Sequence, residues 1–446
     1  MNGQPTQALN TPSFDPNRTQ AAPPPDYAGP ATVPALTLSV LPGNRLAYSS
    51  EQSRQHLMTQ VAVVGGGGIS TGQRLPVNLG LVIDRSGSME GEPLEYVKRA
   101  CNYVVDMLTP EDVLTIVTFE ETVEVLMPAR RVTDPNLIKQ HIARIVAGNT
   151  TNLFDGLYAA GSQVGSIPLG GYTNRILLLT DGEPTAGLKD FTSIVNQVAE
   201  LKSRGITVTA LGFGPEYNEE LMAGIARRSG GNYYFIARPE EIPDVFRKEV
   251  EQALGVTARN VRLTMHLPRG CTVRQVYGTQ PAHGARSTEI NLGDLERGAT
   301  ITKLWEMDLE SRRPAMYRIA KAVLTWNDAG TGAQHSTSEN VVIEFTRDAA
   351  AVPGGVDPVV AQELSVVMAS RDLEKTMMGM RTQQISVSDI TRALEKTQQL
   401  LNQQGRMAEA QEVAEATRAM QRGDNSVVEK TLIGTIYNLD QGRRRS

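Results

Sequence analysis

The stretch LVIDRSGSME, residues 81–90, decides the fold. It closes the apolar run VNLGLVID on an acid, Asp84, and continues with Arg85, Ser86, Gly87 and Ser88. A short continuous apolar run without alternation reads as a strand buried on both faces of a parallel sheet. In an open sheet of that kind, ligands bind outside the carboxyl ends of the strands. Asp84, Ser86 and Ser88 alternate, so a bent loop can aim three oxygens at one point while Gly87 permits the bend. The same letters also suit a plain strand-to-helix turn with Asp or Ser as the helix N-cap. Taken alone, the stretch divides about evenly between the two readings.

Working outward, strands alternate with helical patterns from about residue 76 to 255. PLEYVKRACNYVVDML places Leu94, Val97, Cys101, Val104, Val105 and Leu108 on one helical face. DVLTIVTF reads as a strand, VEVLMPA as an edge strand, NLIKQHIARIV and NLFDGLYAAGSQVG as helices. FTSIVNQVAELKSRG is a helix with Gly205 as its stop, and ITVTALGFG a strand. NEELMAGIARRSGG, NYYFIA and PEEIPDVFRKEVEQAL complete the unit as helix, strand and helix. This alternation predicts a mostly parallel, doubly wound sheet covered on both faces. Within it, RILLLTDGEP is a second apolar strand that ends in an acid, Asp181. Between the two acids, GNTTNLFDGL sets Thr150 and Thr151 just before a helix. Three loops at one sheet edge therefore present oxygen ligands, with no His or Cys among them. An all-oxygen set with few formal charges suits Mg²⁺ or Mn²⁺ in an octahedron completed by water.

The DRSGS loop, the TTNL threonines and the LLLTDG strand end together resemble the von Willebrand factor A domain and its metal-ion-dependent adhesion site. The resemblance spans roughly residues 76–255. It implies that Ser86, Ser88 and Thr151 contact the metal and that Asp84 and Asp181 act mostly through water. Thr151 is preferred to Thr150 because TNL is similar to the family's GGTNL, with Asn149 in place of a glycine. The resemblance also implies binding of a Glu or Asp carboxylate from a partner protein at the open metal position. Arg85 and Glu183 are candidates for contact with that partner. The layout of strands before and after the domain, with a helical tail, is similar to bacterial A-domain proteins related to inter-α-trypsin inhibitor heavy chains.

The chain has 446 residues, 40% hydrophobic and 21% charged, ordinary for a globular protein of two or three domains. A net charge of −5 offers no basic field for nucleic acid. The two cysteines, Cys101 and Cys271, provide neither zinc spacing nor a disulfide framework, which fits a reducing compartment and inert core thiols. Residues 1–34 are rich in Pro, Gln, Asn and Thr and read as a disordered head. GGGG at 65–68 reads as a turn and RRRS at the end as a solvated tail. LTLSVLPGNRLAYSS and HLMTQVAVVG, within residues 35–75, alternate like strands but are too few to stand alone. Residues 256–348 again read as antiparallel strands, and together these segments predict a β-sandwich with the α/β unit inserted into it. Residues 357–446 carry four helical stripes, with a cluster of Met377, Met378 and Met380 that favours core packing over an adaptable contact surface. No signal sequence or apolar span is evident, so a cytoplasmic chain is expected.

Neutral hydroxyl ligands leave a bound metal most of its charge, which favours recognition of an outside carboxylate. The expected function is a metal-dependent protein–protein interaction module and not an enzyme. Phosphoryl transfer would need a base and a phosphate clamp, and the chain has no P-loop, no histidine in these loops and no GxSxG elbow. His141 lies on a helical stripe and reads as a packing or surface residue. The alternative is a self-assembling scaffold in which the C-terminal helices drive self-association and the metal is secondary.

Overall fold

A computed structural model describes residues 36–64 and 74–443. The Pro-rich head, the glycine run 65–68 and the last three residues of the RRRS tail lie outside the described residues. The chain enters through β1 (Leu36–Pro42), β2 (Leu46–Tyr48) and β3 (Ser53–Val63). The α/β unit follows as β4 (Val77–Asp84), α1 (Glu92–Met107), β5 (Val113–Phe119), β6 (Val123–Arg131), α2 (Pro135–Ala143), α3 (Leu153–Val164), β7 (Thr173–Thr180), α4 (Phe191–Ser203), β8 (Ile206–Phe213), α5 (Glu219–Ser229), β9 (Tyr233–Ile236) and α6 (Ile242–Leu254). Its sheet has the order β6-β5-β4-β7-β8-β9, and every pairing is parallel except that of the edge strand β6 with β5.

All eight residues of β4 are buried. Leu79, Leu81 and Ile83 face the layer built from α1, α2 and α6, while Val82 faces the layer of α3, α4 and α5. The continuous apolar run therefore serves two cores, as a doubly wound sheet requires. Gly80 sits under α3: a Cβ there would lie 3.0 Å from Cγ2 of Val164. The helix stops follow the glycines, with Gly205 at φ 78° and Gly230 at φ 79°.

β10 (Val256–His266), β11 (Cys271–Val276), β12 (Ala282–His283), β13 (Ser287–Glu296), β14 (Thr300–Leu309), β15 (Ala315–Asp328) and β16 (Gln334–Thr346) come next. They form two sheets, β1-β3-β14-β11 and β12-β13-β10-β15-β16-β2, packed over one core that includes Leu57, Trp305, Leu263, Leu324 and Phe345. The α/β unit is thus inserted between β3 and β10 of a sandwich. The PGN turn does not make a hairpin. It carries the chain across to the other sheet, where β2 runs parallel to β16, and β1 pairs with β3 instead.

The C-terminal helices are α7 (Pro358–Arg381), α8 (Val387–Gln403), α9 (Met407–Gln421) and α10 (Asn425–Gln441). They share a core of their own, and α7 covers the outer face of the four-stranded sheet through Val360 against Met58 and Leu304. Met377 and Met380 pack inward, whereas Met378 is exposed. α10 reaches both other units. Ile433 and Tyr437 join the α/β core, and Lys430 pairs with Glu219 at 2.8 Å. At its other end Lys303 of β14 donates to the Asp440 carbonyl at 2.6 Å, and the Thr302 N–H donates to Gly442 O at 2.9 Å.

Candidate metal centre

The carboxyl ends of β4, β5 and β7 lie side by side, so the loops that follow them share one edge. Backbone hydrogen bonds stitch these loops together. Gly148 N–H donates to Arg85 O at 2.6 Å and Gly87 N–H to Asn149 O at 3.3 Å, joining the DRSGS and threonine loops. Thr185 and Ala186 donate to Thr151 O at 3.0 and 3.1 Å, and Thr151 N–H donates to Thr185 Oγ1 at 2.9 Å, joining the third loop. The helical pattern NLIKQHIARIV ends three residues early, at Ala143. Arg144 and Ile145 N–H groups fold back onto His141 O and Ile142 O. That tightening turns Ile145 into the core and frees residues 146–152 to cross to the sheet edge.

The side chains converge. Ser88 Oγ donates to Asp181 Oδ1 at 2.9 Å, Ser86 Oγ to the same atom at 3.3 Å, and the two hydroxyls lie 3.2 Å apart. Asp84 is fully buried and is held back by two donors, the Ser86 N–H at 2.8 Å and the Thr180 hydroxyl at 2.5 Å. Thr151 is buried against the third loop, where a methyl group on Gly182 would sit 3.5 Å from Thr151 Oγ1. The neighbouring Thr150 hydroxyl is buried with no hydrogen-bond partner among the described residues.

Burial pushes the Asp84 carboxyl up to about 6 against the hydrogen bonds of Thr180 and Ser86, and nearby Asp181 adds to the rise. Burial also raises Asp181, opposed by Ser88 and Ser86 and assisted by the charge of Glu216. Among the described residues, no Lys, Arg or His pairs with either acid, and no group of three or more His, Cys, Asp or Glu is placed to hold a metal. A donor set of hydroxyls around two buried, unpaired acids is one that a hard divalent cation fits: it would offset the desolvated charge and accept neutral oxygens.

Arg85 is neither solvated nor free. Its side chain is 14% exposed, pairs with Glu120 at 3.4 Å and reaches Val146 O at 3.4 Å. Glu120 is held in the ionised form, down to about 2, by hydrogen bonds from its own loop, first the Glu121 N–H, then the Thr122 hydroxyl, with Asn149 N–H adding. Glu183 is exposed beside Asp181. The sequence reading missed Thr180, Glu120 and Glu216. Each lies at or just beyond a strand's carboxyl end, which was the available signal. Cys101 is an inert core thiol that burial pushes up to about 12.

Residues 78–248 match the family model of the von Willebrand factor type A domain. This segment is a von Willebrand factor type A domain. Over 277 residues the chain is 29% identical to an uncharacterized protein of Synechocystis sp., covering 60% of this chain and 65% of that protein. Over 166 residues it is 30% identical to human inter-alpha-trypsin inhibitor heavy chain H4, covering 35% of this chain and 18% of the heavy chain. The chain thus spans less than two thirds of the length of either relative. A von Willebrand factor type A structure from Catenulispora acidiphila shares the fold, with a TM-score of 0.71 at 16% identity over 85% of this chain and 89% of that one. Domains of this family generally mediate protein–protein interactions, often with a divalent metal. No helix among the described residues is long and apolar enough to cross a membrane.

Proposed function

We propose that the chain is a metal-dependent protein-binding module whose A domain takes an acidic side chain of a partner at the edge formed by β4, β5 and β7. The observation that supports this most is the pair of buried acids, Asp84 and Asp181, without a basic partner beside two converging serine hydroxyls. Ser86, Ser88 and Thr151 would hold a Mg²⁺ (or Mn²⁺) directly, with Asp84 and Asp181 behind them. When bound, the ion supplies a net positive charge and an open position for one carboxylate oxygen. Thr180 and the Ser86 N–H keep Asp84 withdrawn, which leaves neutral hydroxyls in front. Ser88 is exposed, so the face is open to a partner. Both serine hydroxyls donate to Asp181, and in this reading the metal takes up that carboxylate's charge, which favours binding over turnover.

The test is a pull-down or display selection on the full chain in Mg²⁺ and in EDTA, with a peptide library that fixes one central Glu. Retention of Glu-bearing peptides in Mg²⁺, lost in EDTA and in Asp181→Ala, is the expected result. Retention that ignores EDTA removes the metal from the reading.

A further inference from the structure

Residues 214–218 connect β8 to α5. They lie beside the loop that carries Asp181, because β8 pairs with β7 up to the register Thr180 with Gly212. This fourth loop is held from outside the A domain. Ser426 Oγ, at the start of α10, donates to Pro215 O at 3.1 Å. About one turn further along α10, Lys430 pairs with Glu219 at 2.8 Å, and its Nζ lies 4.8 Å from the centre of the Tyr217 ring. Arg381, the last residue of α7, bonds Glu220 and lies 3.4 Å from Glu219. Lys430 is 3% exposed and Tyr217 2%. A covered pair of this kind is screened far less than a surface ion pair, so it fixes the place of what it joins.

Tyr217 carries that hold inward. Its ring occupies the place of a side chain at Gly212, where a Cβ would lie 2.2 Å from two ring carbons. Residues paired in register point to the same face, and neighbouring strands are about 4.8 Å apart, so the ring stands next to the Thr180 side chain. The Thr180 hydroxyl donates to Asp84 at 2.5 Å and accepts the Gly182 N–H at 3.3 Å. It thereby fixes the first acid and the loop of the second together. On the other side, the Tyr217 hydroxyl meets that of Tyr233 at 2.7 Å. Tyr233 in turn packs edge-on against Tyr437 of α10, with ring centres 6.2 Å apart. α10 therefore grips Tyr217 twice, directly through Lys430 and by way of Tyr233. A close-packed row of side chains passes a displacement along, because it holds little free volume.

We infer that Tyr217 and Lys430 are positioning residues of the metal centre: through them the docked C-terminal helices hold Thr180, and with it Asp84 and the Asp181 loop, in the geometry that takes the cation. Neither residue is a ligand. The inference rests on the metal-dependent reading of the site.

The test uses the full chain, with Mg²⁺ affinity read by titration calorimetry and amide hydrogen exchange read in EDTA. Glu219→Gln combined with Lys430→Met removes the covered pair without changing net charge. Tyr217→Leu empties the space over Gly212 and touches no charge. Each variant should raise the Mg²⁺ Kd about fivefold, the lower end of ordinary coupling between sites, and should speed exchange in residues 214–218. Val341→Ala, in the sandwich core, should lower Tm and leave the Kd unchanged. A wild-type Kd in both loop variants overturns the inference, even beside faster exchange, since the loop would then be held without consequence for the metal. An equal rise in Val341→Ala overturns it too, as an effect of general stability. A wild-type chain that takes up no Mg²⁺ overturns the metal reading and the inference with it.

Discussion

Two of the places where the A domain buries acids are treated in opposite ways. Glu249 of α6 has no exposed surface, yet its oxygens are met from every side. Arg175 of β7 pairs with it at 3.3 Å, Thr209 of β8 donates at 2.6 Å, and Asn232 and Tyr234 donate at 2.7 Å each. Asp84 ends β4 and Asp181 follows β7 in the same sheet, and they receive hydroxyl and amide donors but, among the described residues, no cation. One acid is complete within the chain and ties the last helix to three strands. The other two are left with charge to offset. A buried acid marks a site only when its countercharge is missing.

The largest expected effect breaks the complete cluster. Glu249→Ala leaves Arg175 buried and unpaired, which should cost about 3–5 kcal/mol in urea denaturation, equally with Mg²⁺ and with EDTA. A loss below about 1 kcal/mol would show that α6 does not depend on this tie.

The incomplete cluster should respond to metal instead. At about 100 times its Kd, Mg²⁺ should stabilise the wild-type chain by roughly 2.7 kcal/mol. Asp84→Ala should abolish that increment while leaving the fold intact. Identical thermal melts of the wild-type chain in Mg²⁺ and EDTA would sink the metal assignment.

A smaller effect sharpens the contrast by pH. In the metal-free chain the folded Asp84 carboxyl titrates at about 6, above its ordinary 3.8. The folded state therefore binds more protons than the unfolded state across that window, and stability falls as pH rises from about 4 through 6. Lowering the pH from 7 to 5 in EDTA should recover on the order of 1–2 kcal/mol from this group, an increment absent in Asp84→Asn. Should the wild-type and Asp84→Asn chains change in parallel, the rise at Asp84 is not the cause.

Much of this architecture was legible because burial leaves a period in the sequence. The eight-residue run ending at Asp84, the stops at Gly205 and Gly230 and the alternation in residues 256–348 each report how many faces an element buries. The motif residues were legible because Asp84 and Asp181 interrupt apolar runs where a strand must end. What periodicity does not carry is the partner across space. Glu249 reads as one more polar letter in PDVFRKEVEQAL until β7, β8 and β9 are brought beside it. Thr180 reads as the last letter of a strand until Asp84 arrives next to it. The crossing of β2 to the second sheet and the docking of α10 on two units are likewise choices among apolar faces, which a single pattern does not distinguish.

The insertion also sets an order of events during synthesis. Met58 of β3 pairs with Leu304 of β14, and Leu46 of β2 with Glu344 of β16, so the first strands wait for partners made some 250–300 residues later. At ordinary translation rates that wait is on the order of tens of seconds. The A domain, whose strands pair within its own span, can close in the meantime, while β1 and β3 stay open as alternating, apolar edges. The nascent chain thus carries an A domain that lacks only the cover of α10 beside a stub of open apolar strands, and the exposed interval of β3 ends only when β14 emerges.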